Sequence, residues 1–363
     1  MVLDIKTFVY LGVIGNFIHN YALEMTEIEK KYGFLIFCDL TDNVYLGNSK
    51  KLIISDIWSF WDYVIKKKNN DKPFLCSLLE QAKHFYETAE TSPTKSKPLL
   101  YYYSFLNLAK VMINIEKEYG STIRYMHGIK EDNQNHFHNS DIVINPKKTS
   151  VINVSAELLE VFDDDTITTD RRINVKNYLS QCVGIHRAYS EIYKKKETLF
   201  KLGKIVLYKK RGKILGTKTE VQCNLSDVPV LQAIGYNIVQ EDNKYYWIEE
   251  IVKPSSAVTR ADYHNLATIL KNKGIWYYIG NSGYTYYIST NTTCRYKPEI
   301  IIYNTMFYLG SITRYNPYLF DKMFSDNEQW MVSEFLTTQP KQFLYLATAK
   351  ILGQNILKAY TSF

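Results

Sequence analysis

The chain has 363 residues, of which 46% are hydrophobic and 22% are charged, so it can bury a large core in one large domain or in two to three subdomains. Its 44 Lys and Arg against 37 Asp and Glu give a formal net charge of +7, which favours anionic partners such as nucleic acid, although AT-rich codons alone would produce the same excess. No run reaches the ~18 to 20 apolar residues of a membrane span, and the five cysteines are spaced too widely for structural zinc or a redox dithiol.

The first part of the chain is predicted to change from strands to helices. Residues 1–55 form an N-terminal extension in which two apolar runs, 33–38 and 51–54, are predicted as short strands. Residues 56–202 form a helical region, because apolar residues recur there at helical spacing. Its helices are predicted over 57–68, 75–89, 99–119, 156–162 and 175–202. The polar, His- and Asn-rich segment 130–150 is predicted as a long surface loop.

The second part is predicted to return from strands to helices. Residues 203–298 carry β-formers between Gly, Asn and Asp turns, which indicates an antiparallel sheet with one helix near 263–273. Residues 299–363 are helical and are expected to pack on the first helical region, with Pro317 and Pro340 at helix starts or boundaries. The fold class is therefore α+β, a largely helical core with an inserted antiparallel β region.

Polar residues on the helix over 99–119 fall into one stripe. The spacing of three, three, four and three residues places them on one face: Ser104, Asn107, Lys110, Asn114 and Lys117. The stripe is either the solvent face of the helix or a polar seam that points into a groove. In the second case Asn107 and Lys110 are binding candidates, because a lysine near aromatic rings holds a phosphate or carboxylate as a point charge.

Two further groups are candidate binding residues. Arg314 and Tyr315 lie between an apolar helix and Pro317, where the guanidinium either caps the last helical carbonyls or faces a ligand. Basic residues also gather at the tip of a predicted hairpin, where they either contact a phosphate backbone or only improve solubility. They are Lys209, Lys210, Arg211 and Lys213.

Four segments together resemble the YaaC-like family of bacterial proteins. They are 80–89, 98–110, the tripeptide His127-Gly-Ile129 and 310–317, the last containing an Arg-Tyr-x-Pro element. The resemblance covers roughly residues 55–355 and is strongest at 80–129 and 300–353. It implies a bacterial cytoplasmic protein whose relatives are suspected in genome defence, and it implies no particular reaction.

The helical pattern is also distantly similar to HEPN-type domains, many of which are RNA-cutting toxins. Those ribonucleases use an Arg and a His with four to six residues between them, which together activate a ribose hydroxyl and stabilise a strained phosphate. Arg124 precedes His127 by only three residues, and Arg260 precedes His264 by four with three residues between them. Neither pair fits the expected gap. A nuclease would therefore have to use an unfamiliar set, for which His127, Arg124 and Lys110 are candidates.

No metal and no cofactor is expected. His136, His138, Asp132 and Asp141 are the residue types that a divalent ion prefers, but their spacing in a polar segment favours solvated side chains. The acidic run 163–165 does not supply converging ligands either. Phosphate-binding, dinucleotide-binding and nucleophile-elbow motifs are missing from the sequence.

The sequence leads to two hypotheses of different classes. The first is a cytoplasmic nucleic-acid-associated or partner-binding component of a bacterial anti-phage defence system, without a recognisable catalytic set. DNA, RNA, a protein encoded nearby and further copies of the chain are its candidate partners, and no membrane span is expected. The alternative is a toxin-like, HEPN-related ribonuclease or nuclease effector.

Overall fold

The fold is described from a computed structural model. The described residues are 25–27, 52–68, 72–134, 136, 139–163, 165–210, 214–252, 260–280, 283–291, 295–325, 327–353 and 356–358. The predicted strand over 33–38 lies outside them. The predicted strand over 51–54 corresponds to the short strand Leu52–Ile54.

The first half of the chain contains most of the short strands. Its elements are β1 (Met25–Glu27), β2 (Leu52–Ile54), α1 (Ile57–Lys68), α2 (Lys72–Thr91), α3 (Lys97–Lys117), β3 (Arg124–Met126), β4 (Ile129–Asp132), β5 (Asp141–Ile144), β6 (Val151–Asn153), α4 (Val154–Asp163), β7 (Arg171–Asn174), α5 (Val175–Gln181) and α6 (His186–Tyr193). The predicted helix over 57–68 agrees with α1, and α2 and α3 begin two to three residues before their predicted starts.

The second half contains long strands followed by long helices. Its elements are β8 (Leu199–Lys210), β9 (Ile214–Val221), α7 (Val228–Ala233), β10 (Ile238–Glu241), β11 (Lys244–Val252), α8 (Arg260–Asn272), β12 (Trp276–Gly280), β13 (Gly283–Ser289), α9 (Pro298–Tyr315), α10 (Pro317–Ser325), α11 (Glu328–Leu352) and β14 (Ile356–Lys358). The α+β fold class is confirmed.

The chain divides into two compact units. One consists of residues 1–41, 200–275 and 286–290, and the other of residues 42–199, 276–285 and 291–363. None of the described helices combines the length and the hydropathy that crossing a membrane requires.

The first unit is built on an antiparallel sheet with the strand order β10-β11-β9-β8. Asp242 and Asn243 join β10 to β11, and both have positive φ, at 47° and 61°. Two left-handed residues form the turn whose twist matches a two-residue hairpin. On β11, Trp247 is buried and its indole N–H donates to Glu249 Oε1 at 2.9 Å. The turn residues and the buried Trp247 therefore stabilise the pairing of β10 with β11 within this sheet.

The second unit has a helical core in which α3 packs between α2 and α9. Nearly every residue of α3 from Tyr101 to Ile115 is buried, and so are residues 298–312 of α9. A helix that is apolar around most of its girth needs neighbours on all sides. Phe105 of α3 stacks on Phe343 of α11 with ring centroids 4.1 Å apart, which ties the N-terminal and C-terminal helices into one core.

Three predictions are wrong. The helix predicted over 175–202 is divided into α5 and α6, and β8 begins at Leu199. Much of the segment 130–150 is not loop, since β4 pairs with β5 and β5 with β7 in an antiparallel sheet. The run Asp141-Ile-Val-Ile144 supplies the buried strand of that sheet, and the surrounding polar residues concealed it. Pro340 is not a boundary, because α11 continues through it. Buried neighbours on both sides, Leu336 and Phe343 among them, hold the helix together although proline removes one backbone hydrogen bond.

Candidate anion-binding site

A cleft of about 340 Å³ opens in the second unit, where α3 and α9 meet the loop between β3 and β4. Its lining comes from α3, from residues 126–131, from Asn145 and from the last turns of α9. The volume lies at the lower end of the range for small-ligand sites, which is roughly 300 to 1,000 Å³. The cleft is therefore large enough for a small molecule or for one unit of a polymer.

Glycines allow the walls of the cleft to approach each other. A Cβ on Gly310 of α9 would lie 3.1 Å from Tyr102 Cβ and 3.2 Å from the Pro98 carbonyl oxygen, so a side chain there would push α9 from α3. Gly128 has φ +66°, and a Cβ there would lie 2.6 Å from Asn153 Cβ. That conformation is easy only for glycine, so Gly128 fixes the turn that carries the preceding residue, His127, into the cleft.

Arg314 is one of two cationic side chains that line the cleft, the other being Lys130. Its Nη1 donates to the Tyr103 hydroxyl at 2.8 Å, and its guanidinium carbon lies 4.9 Å from the centre of the Tyr315 ring. Among the described residues no carboxylate forms an ion pair with it. The contact with Tyr103 uses one of five N–H donors, so the side chain is oriented by phenol rings and keeps donors for a ligand. No carbonyl of a described helix accepts a hydrogen bond from the Arg314 side chain, so the capping alternative is not supported.

His127 is a neutral hydrogen-bond donor in this arrangement. Its pKa is lowered, first by burial and then by the charges of Lys110 and Arg314. The Tyr102 hydroxyl contacts His127 Nδ1. Burial, more than any other cause, raises the pKa of Tyr102 well above its usual range, so this hydroxyl keeps its hydrogen and is available as a donor. We therefore assign the imidazole hydrogen to Nε2, where no other described residue bonds it.

Glu131 provides a negative charge in the lining of the cleft. It lies on β4, on the same face as the buried residue Ile129, because side chains two apart along a strand point the same way. Its carboxylate makes no hydrogen bond and no ion pair with any described residue. The charge of Glu131 contributes to the raised pKa of Tyr102, although less than burial does, so it affects the electrostatic potential inside the cleft. The cleft is thus lined by two cations and one carboxylate: Lys130 pairs with Asp170 at 3.8 Å, whereas Arg314 and Glu131 have no ion-pair partner among the described residues.

One comparison with known proteins identifies the chain. The model of the family described as YaaC-like Protein matches residues 48–351, which is most of the chain. The chain belongs to the YaaC-like family. Neither a curated protein nor a solved structure matches it. All residues that line the cleft, from Leu99 to Tyr315, fall inside the part that matches the YaaC-like model.

The polar stripe on α3 of this YaaC-like chain is an internal seam. Ser104, Asn107 and Asn114 are buried, with exposed fractions of 0%, 4% and 2%, so a solvent face is wrong for them. Ser104 Oγ donates to the Ala82 carbonyl and Asn107 Nδ2 to Gln81 Oε1, both at 2.7 Å. These partners lie on α2, so this part of the seam joins two helices.

Lys110 is the member of the seam that acts on the cleft. It is half-buried, and its Nζ donates to Asn107 Oδ1 at 3.3 Å. Burial lowers its pKa, and its charge helps to lower the pKa of His127. Among the described residues no carboxylate pairs with Lys110. Lys110 does not line the cleft, so it contributes positive potential to the cleft without direct contact with a ligand. Asn107 orients its ammonium group.

The other candidates are not brought to this site. Arg124 is exposed on β3 and does not line the cleft. Lys209 lies on β8 of the first unit. The side chain of Lys210, and Arg211 and Lys213 entirely, lie outside the described residues. Within the part of the chain that is described, no group of three or more His, Cys, Asp or Glu side chains converges as a metal ion would require.

Two residues of the site were missed by the sequence analysis. Tyr103 is not among the predicted binding residues, yet it orients Arg314 through a hydrogen bond. Glu131 lies in the segment that is predicted as a loop. A signal for Glu131 was present, since Ile129 and Glu131 are two residues apart and directly follow a His-Gly turn, which is the spacing of one strand face.

Proposed function

We propose that this YaaC-like chain is a binding component that holds a phosphate group of a nucleic acid in the cleft. The observation that carries the proposal is Arg314, an arginine that lines a cleft, is oriented by Tyr103, and has no carboxylate partner among the described residues. An arginine fork matches the oxygens of a phosphate. His127 Nε2–H and the nearby charge of Lys110 add a second donor and further positive potential.

Binding is supported more strongly than catalysis. A general base needs a nitrogen that is free to take a proton. In the tautomer that we assign to His127, Nδ1 is occupied by the Tyr102 hydroxyl and Nε2 already carries a hydrogen. Arg124 is not in the cleft, so the candidate nuclease residues do not come together as one group. The nuclease alternative stays a prediction, and labelled RNA and DNA incubated with the protein, with and without Mg²⁺, test it.

The biological role that we propose is anti-phage defence beside a protein encoded nearby. This part rests on the family resemblance alone, and a partner-binding role is compatible with the same cleft. We expect phage to form fewer plaques on cells that carry the gene and its neighbours than on cells in which the same gene carries Arg314→Ala. Equal plaque counts for both strains would remove this part of the proposal and leave the biochemical part standing.

The biochemical test is a binding titration over a series of salt concentrations. We expect short labelled oligonucleotides to bind at low salt and to dissociate as salt rises, because each phosphate contact releases counterions. Arg314→Ala should weaken binding about tenfold or more, since hydrogen bonds to charged groups contribute roughly 1.5 to 3 kcal/mol. The matched control is Arg187→Ala, which removes an exposed arginine paired with Glu197 at 3.2 Å and lying outside the cleft. Absence of binding at low salt, or equal effects of both substitutions, would refute the proposal.

A further inference from the structure

Two charged side chains of the cleft have no ion-pair partner. Arg314 and Glu131 both line it, yet they form no ion pair within 4.0 Å with each other or with any other described side chain. The third charged side chain of the lining, Lys130, pairs with Asp170 at 3.8 Å. A carboxylate beside an arginine lowers the affinity for a bare anion, because like charges repel. The repulsion is offset for an anion that also carries hydrogen-bond donors, since these donors can form hydrogen bonds with the carboxylate.

The cleft also offers an aromatic surface. Tyr315 lines it with 66% of its surface exposed, and the Arg314 guanidinium lies over its ring. Exposed aromatic rings stack unpaired bases, typically with about 1 to 3 kcal/mol per base. A base that is already paired in a duplex cannot present its face to such a ring. The occupant that uses all three features has a phosphate, hydroxyl donors and a planar ring.

We propose that Glu131 is the specificity-determining residue of the cleft, and that it accepts hydrogen bonds from the sugar hydroxyls of an unpaired ribonucleotide whose phosphate lies on Arg314. This inference rests on the proposed function and narrows it to one class of ligand. Carboxylates accept from ribose hydroxyls in dinucleotide sites for the same chemical reason, since two neighbouring O–H groups match two carboxylate oxygens. Deoxy sugars lack one or both of these donors.

Calorimetric titration with three small probes separates the contributions. The probes are inorganic phosphate, a ribonucleoside 5′-monophosphate and its 2′,3′-dideoxy analogue. We expect the ribonucleotide to bind about tenfold or more tightly than the dideoxy analogue, and phosphate to bind most weakly. Glu131→Gln should reduce the preference for the ribonucleotide and leave phosphate binding unchanged or stronger. The control is Glu334→Gln, which makes the same substitution at an exposed position of α11. Unchanged circular dichroism and melting would show that each variant is folded.

The outcomes distinguish this inference from the proposed function. If Arg314→Ala weakens oligonucleotide binding, but ribo and dideoxy nucleotides bind equally, the inference is overturned and the proposed function stands. Tighter binding of a free amino acid than of the ribonucleotide would also overturn it, because the partner of Glu131 would then be an ammonium group. If Arg314→Ala changes the binding of none of the probes and none of the oligonucleotides, both proposals fail.

Discussion

The Tyr102 hydroxyl forms a hydrogen bond with Nδ1 of His127, and this bond leaves Nε2 as the imidazole nitrogen that is available to a ligand. Burial is the main cause of the lowered pKa of His127, and the positive charges of Lys110 and Arg314 lower it further. An anion bound in the cleft would offset those charges and raise the pKa of His127 again. Binding and protonation of this residue are therefore linked.

Anion binding should strengthen as the pH falls. In the free protein the pKa of His127 is below its usual value of 6.5, and the bound anion raises it, so the complex takes up a proton that the free protein does not. Between the two pKa values the affinity should rise by at most about tenfold per pH unit. Titrations at several pH values measure this. His127→Gln keeps a donor but removes the titration, so a slope that persists in it would contradict the linkage.

Gly310→Ala should destabilise the second unit and disturb the cleft. The added Cβ would lie 3.1 Å from Tyr102 Cβ and 3.2 Å from the backbone oxygen of Pro98, and the backbone cannot move aside easily. Overpacking of this kind typically costs about 1 to 3 kcal/mol. Urea denaturation measures the change in the free energy of unfolding. The control is Gly280→Ala, whose Cβ would meet its nearest neighbour only at 3.7 Å, and a larger loss there than at Gly310 would contradict the argument.

Stability should fall as the pH rises toward 8. Burial raises the pKa of Glu299 from 4.5 to about 7, and burial raises that of Asp163 from 3.8 to about 6, so the folded state holds protons that the unfolded state has lost. A carboxyl whose folded pKa is raised costs stability progressively above its unfolded pKa, up to roughly 3 kcal/mol for Glu299 once the pH exceeds about 7. Denaturation from pH 5 to pH 8 measures this decline.

Glu299→Gln isolates one of the two carboxyls. The Tyr277 hydroxyl donates to both oxygens of Glu299, at 2.7 and 2.8 Å, and an amide oxygen can accept the same hydrogen. The variant should therefore lose less stability than the wild type between pH 5 and pH 8. The exposed substitution Glu334→Gln should leave the decline unchanged. Equal declines in the Glu299 variant and the wild type would show that another group is responsible.

Gln342→Leu should be strongly destabilising. The side-chain oxygen of Gln342 accepts from the Ile279 backbone N–H and its amide donates to the Ile279 carbonyl, both at 2.8 Å and both buried. Leucine would leave two buried backbone groups without partners, which costs roughly 1 to 3 kcal/mol for each. Gln329→Leu, at an exposed position of α11, is the control. Similar unfolding free energies for the two variants would contradict the role of these bonds.

Periodicity predicted the helices well because buried helices leave a regular apolar pattern, as α1 demonstrates with the predicted bounds 57–68. It failed where tertiary contacts outweigh local preference. Pro340 ends helices in isolation, but packing carries α11 through it. The strand Asp141–Ile144 is too short to stand out among polar neighbours.

The candidate site was partly predictable. Arg314 and Tyr315 were singled out by their position after an apolar helix, and His127 by its place in a motif, and the structure brings all three to one cleft. Glu131 could not be placed, because its role depends on β4 facing two helices that are distant in sequence. The seam of α3 was left open for the same reason, since sequence spacing defines a face but does not say what covers it.

Gln342 imitates a neighbouring strand. By engaging both the N–H and the carbonyl of Ile279, its carboxamide occupies the positions that an extended segment of another molecule would use to add itself to β12. One side chain thus blocks the pairing of this stretch of backbone with another chain. In a protein without Gln342, these two backbone groups would be available to pair with a strand of a second molecule, which would favour aggregation even if the protein is stable enough to fold.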